Sequence, residues 1–456
     1  MSAARSRWDQ EDPEEEAAIA RRKREKEERK RAKAEKQRQL EEAQSKATTG
    51  QQDSHAANGL AERPSKRRRL SQDAPQSDKS VEAVEGRRKL LEFPAPEWAP
   101  SRLVDNYQML NMIEEGAYGL VSRAKDMVSG EFVALKKLKL GDAEYGFADT
   151  GLREIQVLQH CRHPNIINLR EIVIGDELSD VYLVMDFIEH DLRTVLDDMP
   201  EPFLPSEAKS LLLQILSGIE YLHSHWILHR DLKTVNLLLN NRGEIKIADF
   251  GMARFYGDPP PDLTQLVVTL WYRSPELLLG AEKYGPEIDM WSVGCIFAEL
   301  LTREPLFQGK DEVDQLSKIF AITGPPNQHT WPNFRSLPNA KSLKLPPESS
   351  SPRTTNPPLL PHSKFPYLTN AGLSLLSSLL ALNPAARPTA AECLRHPYFK
   401  ENPRPKPKEM FPTFPSKAGG ERHRRRRTPD APRHGGEAPR LDLGRVFTGA
   451  SEAGEA

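Results

Sequence analysis

The chain of 456 residues is poor in cysteine, in long apolar runs and, at its ends, in aromatics. Cys161, Cys295 and Cys393 are too few for a disulfide framework and stand at no metal-binding spacing, which fits a reducing compartment. No apolar run reaches the roughly 18 residues that a membrane span needs. The first residues, MSAARSRWDQEDPEEE, lack the apolar core of a secretion signal, so an intracellular protein without a membrane partner is expected. Residues 1–92 hold one aromatic, Trp8, too little apolar surface to offset the entropy of ordering. Disorder is therefore expected over 1–95. Net charge is also nearly absent, at −1, but the total hides a split. Residues 1–92 carry 23 Lys/Arg against 19 Asp/Glu, and residues 401–456 carry 12 against 8, which leaves an acidic centre of 29 against 38.

What is present divides along the chain. Residues 21–42 hold eleven Lys/Arg and six Glu without an apolar seam, a pattern for a solvated charged helix rather than a coiled coil. KRRRL at 66–70 and RHRRRR at 422–427 read as nuclear import signals, as non-specific phosphate binders, or as plain solvated charge. From Tyr107 the character changes. Strand-like runs cover Tyr107–Glu114, Gly119–Asp126, Glu131–Lys137, Ile166–Ile174 and Val181–Phe187, interrupted by a helical stretch at Phe147–Gln159. After Leu192 the spacing turns helical, at Pro205–His223, Asp289–Leu301, Asp311–Ile322, Ala371–Leu382 and Ala390–Leu394. Residues 346–366 are rich in Pro and Ser and read as a surface loop.

Three stretches carry chemistry. EEGAYGLVSRA at 114–124 sets a glycine turn between two strands, where backbone amides can approach phosphates. VALK at 133–136 puts Lys136 in an apolar strand, with Glu154 on the helix that follows as its partner. HRDLKTVNLLL at 229–239 is followed by IKIADFG at 245–251, so Asp231 and Asn236 are five apart and Asp249 comes 13 later. These runs resemble the catalytic loop and DFG pair of protein kinases, which implies Asn236 and Asp249 as hard oxygen ligands for Mg²⁺ and Asp231 as acceptor of a hydroxyl proton.

With SPE at 274–276 and DMWSVGC at 289–295 in the same order, the chain resembles a eukaryotic protein kinase over 107–399. The resemblance narrows through REI (153–155), VVTLWYRSPELLLG (267–280) and PLFQGKDEVDQL (305–316) to the cyclin-dependent kinases. IEEGAYG (113–119), WILHRDLKT (226–234) and MFPTFPSK (410–417) look like their PITSLRE branch, although the helix signature reads ADTGLRE at 148–154. An α+β, bilobal fold is implied, with a β-rich small lobe (107–188), a helical large lobe (189–399) and a basic disordered tail (400–456).

The resemblance implies roles. Asp231, Lys233, Lys136, Glu154 and Thr269 would form the catalytic set, with Lys233 marking Ser/Thr specificity. ATP would bind through Ile113, Gly116, Gly119, Val121, Ala134 and Lys136, with the backbone of Asp186 and Ile188 on adenine and Asp191 near the ribose. Asn236 and Asp249 would hold Mg²⁺. Thr264 stands at the position of an activating phosphothreonine, with Arg153, Arg230 and Arg254 as its clamp. Tyr118 matches an inhibitory tyrosine, beside Ala117 where the family carries a threonine. Val267 and Val268 would receive the proline after a target Ser/Thr, Glu276 and Arg387 would pair, and Asp289 would support the catalytic loop. Implied partners are a cyclin of the L type, proteins with Ser/Thr-Pro sites and the nuclear import machinery. The expected setting is the nucleus, with a cytoplasmic share, in cell-cycle, transcription or pre-mRNA splicing control. A pseudokinase scaffold rests on Glu114 alone, in place of the first loop glycine. A protein acting through nucleic acid has only the basic ends in its favour. A mitogen-activated type lacks its Thr-x-Tyr, since 264–266 reads Thr-Gln-Leu.

Overall fold

The computed structural model describes residues 101–116, 119–138, 149–177, 180–257, 263–264, 267–344, 362–415 and 429. The 1–95 region, both basic clusters, Tyr118 and residues 346–361 of the Pro/Ser-rich loop lie outside them.

The small lobe is one antiparallel sheet with a helix. Strands β1 (Tyr107–Gly116), β2 (Gly119–Asp126) and β3 (Phe132–Leu138) are followed by helix α1 (Asp149–His160), β4 (Leu169–Ile174) and β5 (Val181–Asp186). The strand order is β1-β2-β3-β5-β4. Period-two alternation sorts β3 by face. Val133 and Leu135 enter a small cluster with Tyr107, Ala124, Val173 and Val184. Ala134, Lys136 and Leu138 share the opposite face, and Leu138 belongs to the main core. Helix α1 turns Gly151, Glu154, Val157 and Leu158 inward at helical spacing. The strand expected from Ile166 begins at Leu169, because 163–166 closes a turn; Ile166 makes only an isolated bridge to Ile247.

The large lobe begins with β6 (His190–Asp191), α2 (Leu192–Asp198) and α3 (Pro205–Ser224). Short strands β7 (Ile227–Leu228), β8 (Leu237–Leu239), β9 (Ile245–Ile247) and β10 (Arg254–Phe255) follow, then α4 (Pro275–Leu278), α5 (Glu287–Thr302), α6 (Glu312–Thr323), α7 (Asn370–Leu379) and α8 (Ala390–Leu394). Helix α5 is buried continuously from Ile288 to Leu300, as its nearly unbroken apolar sequence requires. Strands β6, β8 and β9 form a three-stranded sheet, and β7 pairs with β10. The chain thus adopts the bilobal α+β fold expected.

The expectation of disorder from residue 400 onward fails for 400–415. Phe411 is buried in the main core and Phe414 packs on it, and Lys406 bonds back to Ser206. Two phenylalanines give this polar stretch the apolar burial that ordering needs.

Arg387 closes on Glu276 through two hydrogen bonds of 2.6 and 2.7 Å, both side chains almost wholly buried. A buried bidentate pair loses most when one partner alone goes. Glu276→Ala is expected to destabilise the protein by about 3–5 kcal/mol, read as a lower thermal midpoint. The double change Glu276→Met with Arg387→Leu should cost less than either single change; equal midpoints for Glu276→Ala and the parent protein would refute the assignment.

Candidate active site

The cleft between the lobes is built on Lys136. Its ammonium lies 2.6 Å from Glu154 Oε1 and 3.0 Å from Asp249 Oδ1. Strand β3 sends it inward, α1 brings Glu154, and the turn after β9 brings Asp249. Burial would favour the neutral amine, but Asp249 and Glu154 outweigh it and hold Lys136 above the usual lysine range. Burial lifts the pKa of Glu154 against the pull of Lys136. For Asp249 burial acts in the same upward sense, yet Lys136 prevails and its carboxyl lies below the usual range. Asp249 has φ 63° and ψ 77°, a left-handed backbone uncommon outside glycine and held here by its surroundings. Phe250, next in sequence, is fully buried against the His229 ring at 5.0 Å.

The catalytic loop hangs from Asp289 on α5. Its Oδ1 accepts the Arg230 amide at 2.9 Å. Its Oδ2 accepts the His229 amide and meets His223 Nε2, both at 3.0 Å. Burial opposes its ionisation, but these donors hold the carboxyl below the usual aspartate range. Asp231 is thereby fixed beside three partners. Lys233 Nζ is 2.9 Å from Oδ2, and Thr269 donates to Oδ1 through its hydroxyl at 2.7 Å and its amide at 3.1 Å. Lys233 also donates to Thr269 Oγ1 at 3.1 Å. Asn236 Nδ2 donates to the Asp231 carbonyl at 2.8 Å and to Oδ2 at 3.3 Å. Its donors so engaged, Asn236 keeps Oδ1 as an oxygen ligand. Together with Asp249 this is an oxygen donor set, and it fits Mg²⁺ completed by phosphate and water.

The nucleotide wall follows from the sheet register. Gly116 and Gly119 pair across the β1–β2 turn. A Cβ at Gly119 would stand 2.3 Å from the Lys137 carbonyl oxygen, so only glycine fits. Val121 lies opposite Lys136, and Ala134 opposite Met185. Ile113, Val121, Ala134 and Ile188 are half-buried, the state of apolar residues around an open cleft. The Asp186 carboxylate is taken by Arg170 at 2.8 Å, and its amide donates to the Asn168 carbonyl at 3.3 Å, so the carbonyl is the backbone group it could offer a ligand. Asp191 caps α2, accepting from the Thr194 amide at 2.9 Å and its hydroxyl at 2.7 Å. Sequence reading passed over Leu238. It pairs with Asp191 and is half-buried between buried Leu237 and Leu239, an apolar side chain on the strand that follows Asn236. Three consecutive leucines carry no outward sign of which faces the cleft.

At the activation segment, Arg230 Nη1 reaches Thr264 Oγ1 at 3.4 Å and Tyr284 OH donates to the Thr264 carbonyl at 2.6 Å. Arg230 takes φ 65° there. Arg254 donates to the Ala253 carbonyl at 2.8 Å, and Arg153 is half-buried on α1.

A buried lysine gripped by two carboxylates, an aspartate poised beside a lysine and a threonine, and an Asn/Asp oxygen pair are the parts of a phosphoryl-transfer site. Residues 107–399 match the family model "Protein kinase domain", and the chain belongs to that family. Serine/threonine-protein kinase ppk23 of Schizosaccharomyces pombe is 55% identical over 328 residues, 72% of this chain and 80% of its own. Cyclin-dependent kinase G1 of Arabidopsis thaliana is 52% identical over 330 residues, 70% and 52% of the two chains. Cyclin-dependent kinase 11B of Homo sapiens is 44% identical over 359 residues, 76% and 43%. The chain thus spans most of the yeast relative and about half of the other two. Among protein kinases it is a serine/threonine kinase of the cyclin-dependent, PITSLRE-type branch.

Asp231→Asn keeps the shape of the loop and removes its proton acceptor. Phosphate transfer should fall about 10²- to 10⁴-fold while ATP affinity stays within about threefold, a change below 1 kcal/mol. Equal kcat for the two proteins would exclude Asp231 as the base.

Proposed function

We propose that the chain transfers the γ-phosphate of ATP, with Mg²⁺, to Ser or Thr followed by Pro on nuclear proteins, once a cyclin is bound. Mg²⁺ at Asn236 and Asp249 supplies neutralisation of the charge that develops on the phosphates. The remaining roles belong to side chains. Lys136, oriented by Glu154, binds the α and β phosphates. Asp231 takes the hydroxyl proton of the substrate, and Lys233 beside it stabilises the transferred group.

The observation that carries the substrate reading is the backbone at Val268. This β-branched residue has φ 64°, a left-handed conformation that costs it energy. Buried Arg273 holds it there, with Nε at 3.2 Å and Nη2 at 3.0 Å from the Val268 carbonyl and Nε at 2.9 Å from that of Val267. Both carbonyls are therefore engaged before a substrate arrives. A residue after the target hydroxyl would leave its amide unpaired there, at about 1–3 kcal/mol. Proline has no amide to lose.

The cyclin reading is supported by Leu152, an apolar side chain 50% exposed on α1, and by the names of the relatives. Thr264 next to Arg230 supports activation by phosphorylation, since a phosphate would give that buried guanidinium a strong partner. The nucleus, with a cytoplasmic share, control of transcription or splicing, and import through the basic clusters rest on the resemblance.

The test is transfer from ATP/Mg²⁺ to paired Ser-Pro and Ser-Ala peptides, by the full chain alone and with a co-expressed L-type cyclin. Activity should require the cyclin, favour Ser-Pro by about 10-fold or more, as one unpaired amide predicts, and fall in Thr264→Ala. Equal use of both peptides would sink the proline reading. Cyclin-independent activity would sink the partner reading.

A further inference from the structure

The stretch after residue 400 is not used by the chemistry above, yet it is tied down along its whole described length. Lys209, fully buried on α3, donates to the carbonyls of Glu401 at 3.2 Å and Pro403 at 2.8 Å. Lys406 bonds through its amide to Ser206 and through its ammonium to Glu207 at 2.8 Å. Lys408 pairs with Glu244 at 2.5 Å. Gly243, with φ +73°, admits the strap, since a Cβ there would stand 2.4 Å from the Lys408 carbonyl oxygen. Phe414 then donates its amide to Asn241 Oδ1 at 2.7 Å. Its ring meets His190 edge-on at 6.0 Å and Phe203 at 6.5 Å.

These contacts converge on one small sheet. Asn241, Gly243 and Glu244 lie in the turn that joins β8 to β9, and His190 begins β6. That sheet is the floor of the cleft. His190 pairs with Leu239, and Asp191 with Leu238. Asn236 directly precedes β8 and accepts the Ala248 amide, and Asp249 comes two residues after β9. His190 is buried and its Nε2 has no hydrogen-bond partner among the described residues, so packing on Phe414 helps set where the ring lies.

We propose that the strap of residues 401–415 delivers Phe414 to the frame of the nucleotide site, and that Phe414, by fixing His190, is a positioning residue that holds Asp191 and Leu238 against ATP. The inference rests on the reading of this cleft as the ATP site. In the fold, Phe411 serves as a contrast, since it is buried in the main core and lies against Gly243, whereas the ring of Phe414 meets His190.

The experiment titrates ADP·Mg²⁺ into the full chain by calorimetry, and measures KM for ATP and for peptide with the cyclin complex. Phe414→Ala should weaken ADP and raise KM for ATP about fivefold, the size of one aromatic contact, with kcat and the peptide KM nearly unchanged. Phe414→Leu should restore most of the affinity. Asn241→Ala, which removes the amide contact and leaves the ring, should move affinity in the same direction by less and covers the case that Phe414→Ala does not fold. Phe411→Ala should lower the thermal midpoint without that selective rise in KM. Unchanged ADP affinity in Phe414→Ala and Asn241→Ala, or a Phe414→Ala that merely loses stability as Phe411→Ala does, would overturn the proposal. A parent chain that binds no ADP would overturn the nucleotide reading itself, and this inference with it.

Discussion

The buried ion triad of Lys136, Glu154 and Asp249 is the constraint on which the cleft depends. A charge taken out of water is costly unless its partner is in place, and losing one partner leaves the other uncompensated. Lys136 is fixed by the β3 register, but its two partners come from elements that are not. Glu154 arrives on α1, and Asp249 on a turn held in a left-handed backbone. The interaction therefore converts the position of α1 into a condition of the nucleotide site. When α1 is seated, Lys136 is a cation aimed at the cleft; when α1 leaves, a buried ammonium has Asp249 alone to hold it, the same carboxylate needed for the metal.

The large lobe solves a different problem, that of holding a loop without secondary structure. The catalytic loop is bonded by its backbone amides to Asp289, a carboxylate on a helix buried from Ile288 to Leu300. The sheet of β6, β8 and β9 carries the remaining groups, and its strands of two or three residues are too short to be stable alone. Such a sheet takes its order from what packs on it. The two lobes thus divide the labour. The small lobe supplies an adjustable pair, and the large lobe supplies fixed groups.

The same division explains what was legible in the sequence. Asp231, Lys233, Asn236 and Asp249 could be read because the chemistry restricts residue type at fixed spacing, and the long elements because α1, α3 and α5 repeat their apolar residues at helical period. Leu238 could not be read, because its neighbours are identical to it and only the pleat distinguishes them. The second task of Asp191 as the cap of α2 was open to reading, since an aspartate just before a helical run is a usual cap. The conformation of Val268 arises from Arg273, five residues on, and not from valine itself. The order of 400–415 was missed because composition averages over a tail, whereas two phenylalanines in it decide the outcome.

Helix α1 brings these strands together. It has 12 residues, near the length at which an isolated helix is marginal in water, and Gly151 costs it up to about 1 kcal/mol relative to alanine. Yet a Cβ at that position would lie 3.3 Å from Leu138 Cδ1, tighter than ordinary packing. The glycine therefore weakens the helix as a helix while letting it sit close on β3, where Glu154 can reach Lys136. An element with little stability of its own is positioned by its contacts. On its inner face those contacts are Leu138, the Lys136 ammonium, and the core that Val157 and Leu158 enter beside the Phe250–Met252 turn. On its outer face stands Leu152, whose apolar surface gains only when a partner covers it. A partner that buries Leu152 thus adds free energy to the seated state alone, and through Glu154 the same free energy stabilises the competent lysine. On the proposed reading, a cyclin acts by covering Leu152, which adds stability to the seated helix in which the Lys136–Glu154 pair is already made at 2.6 Å.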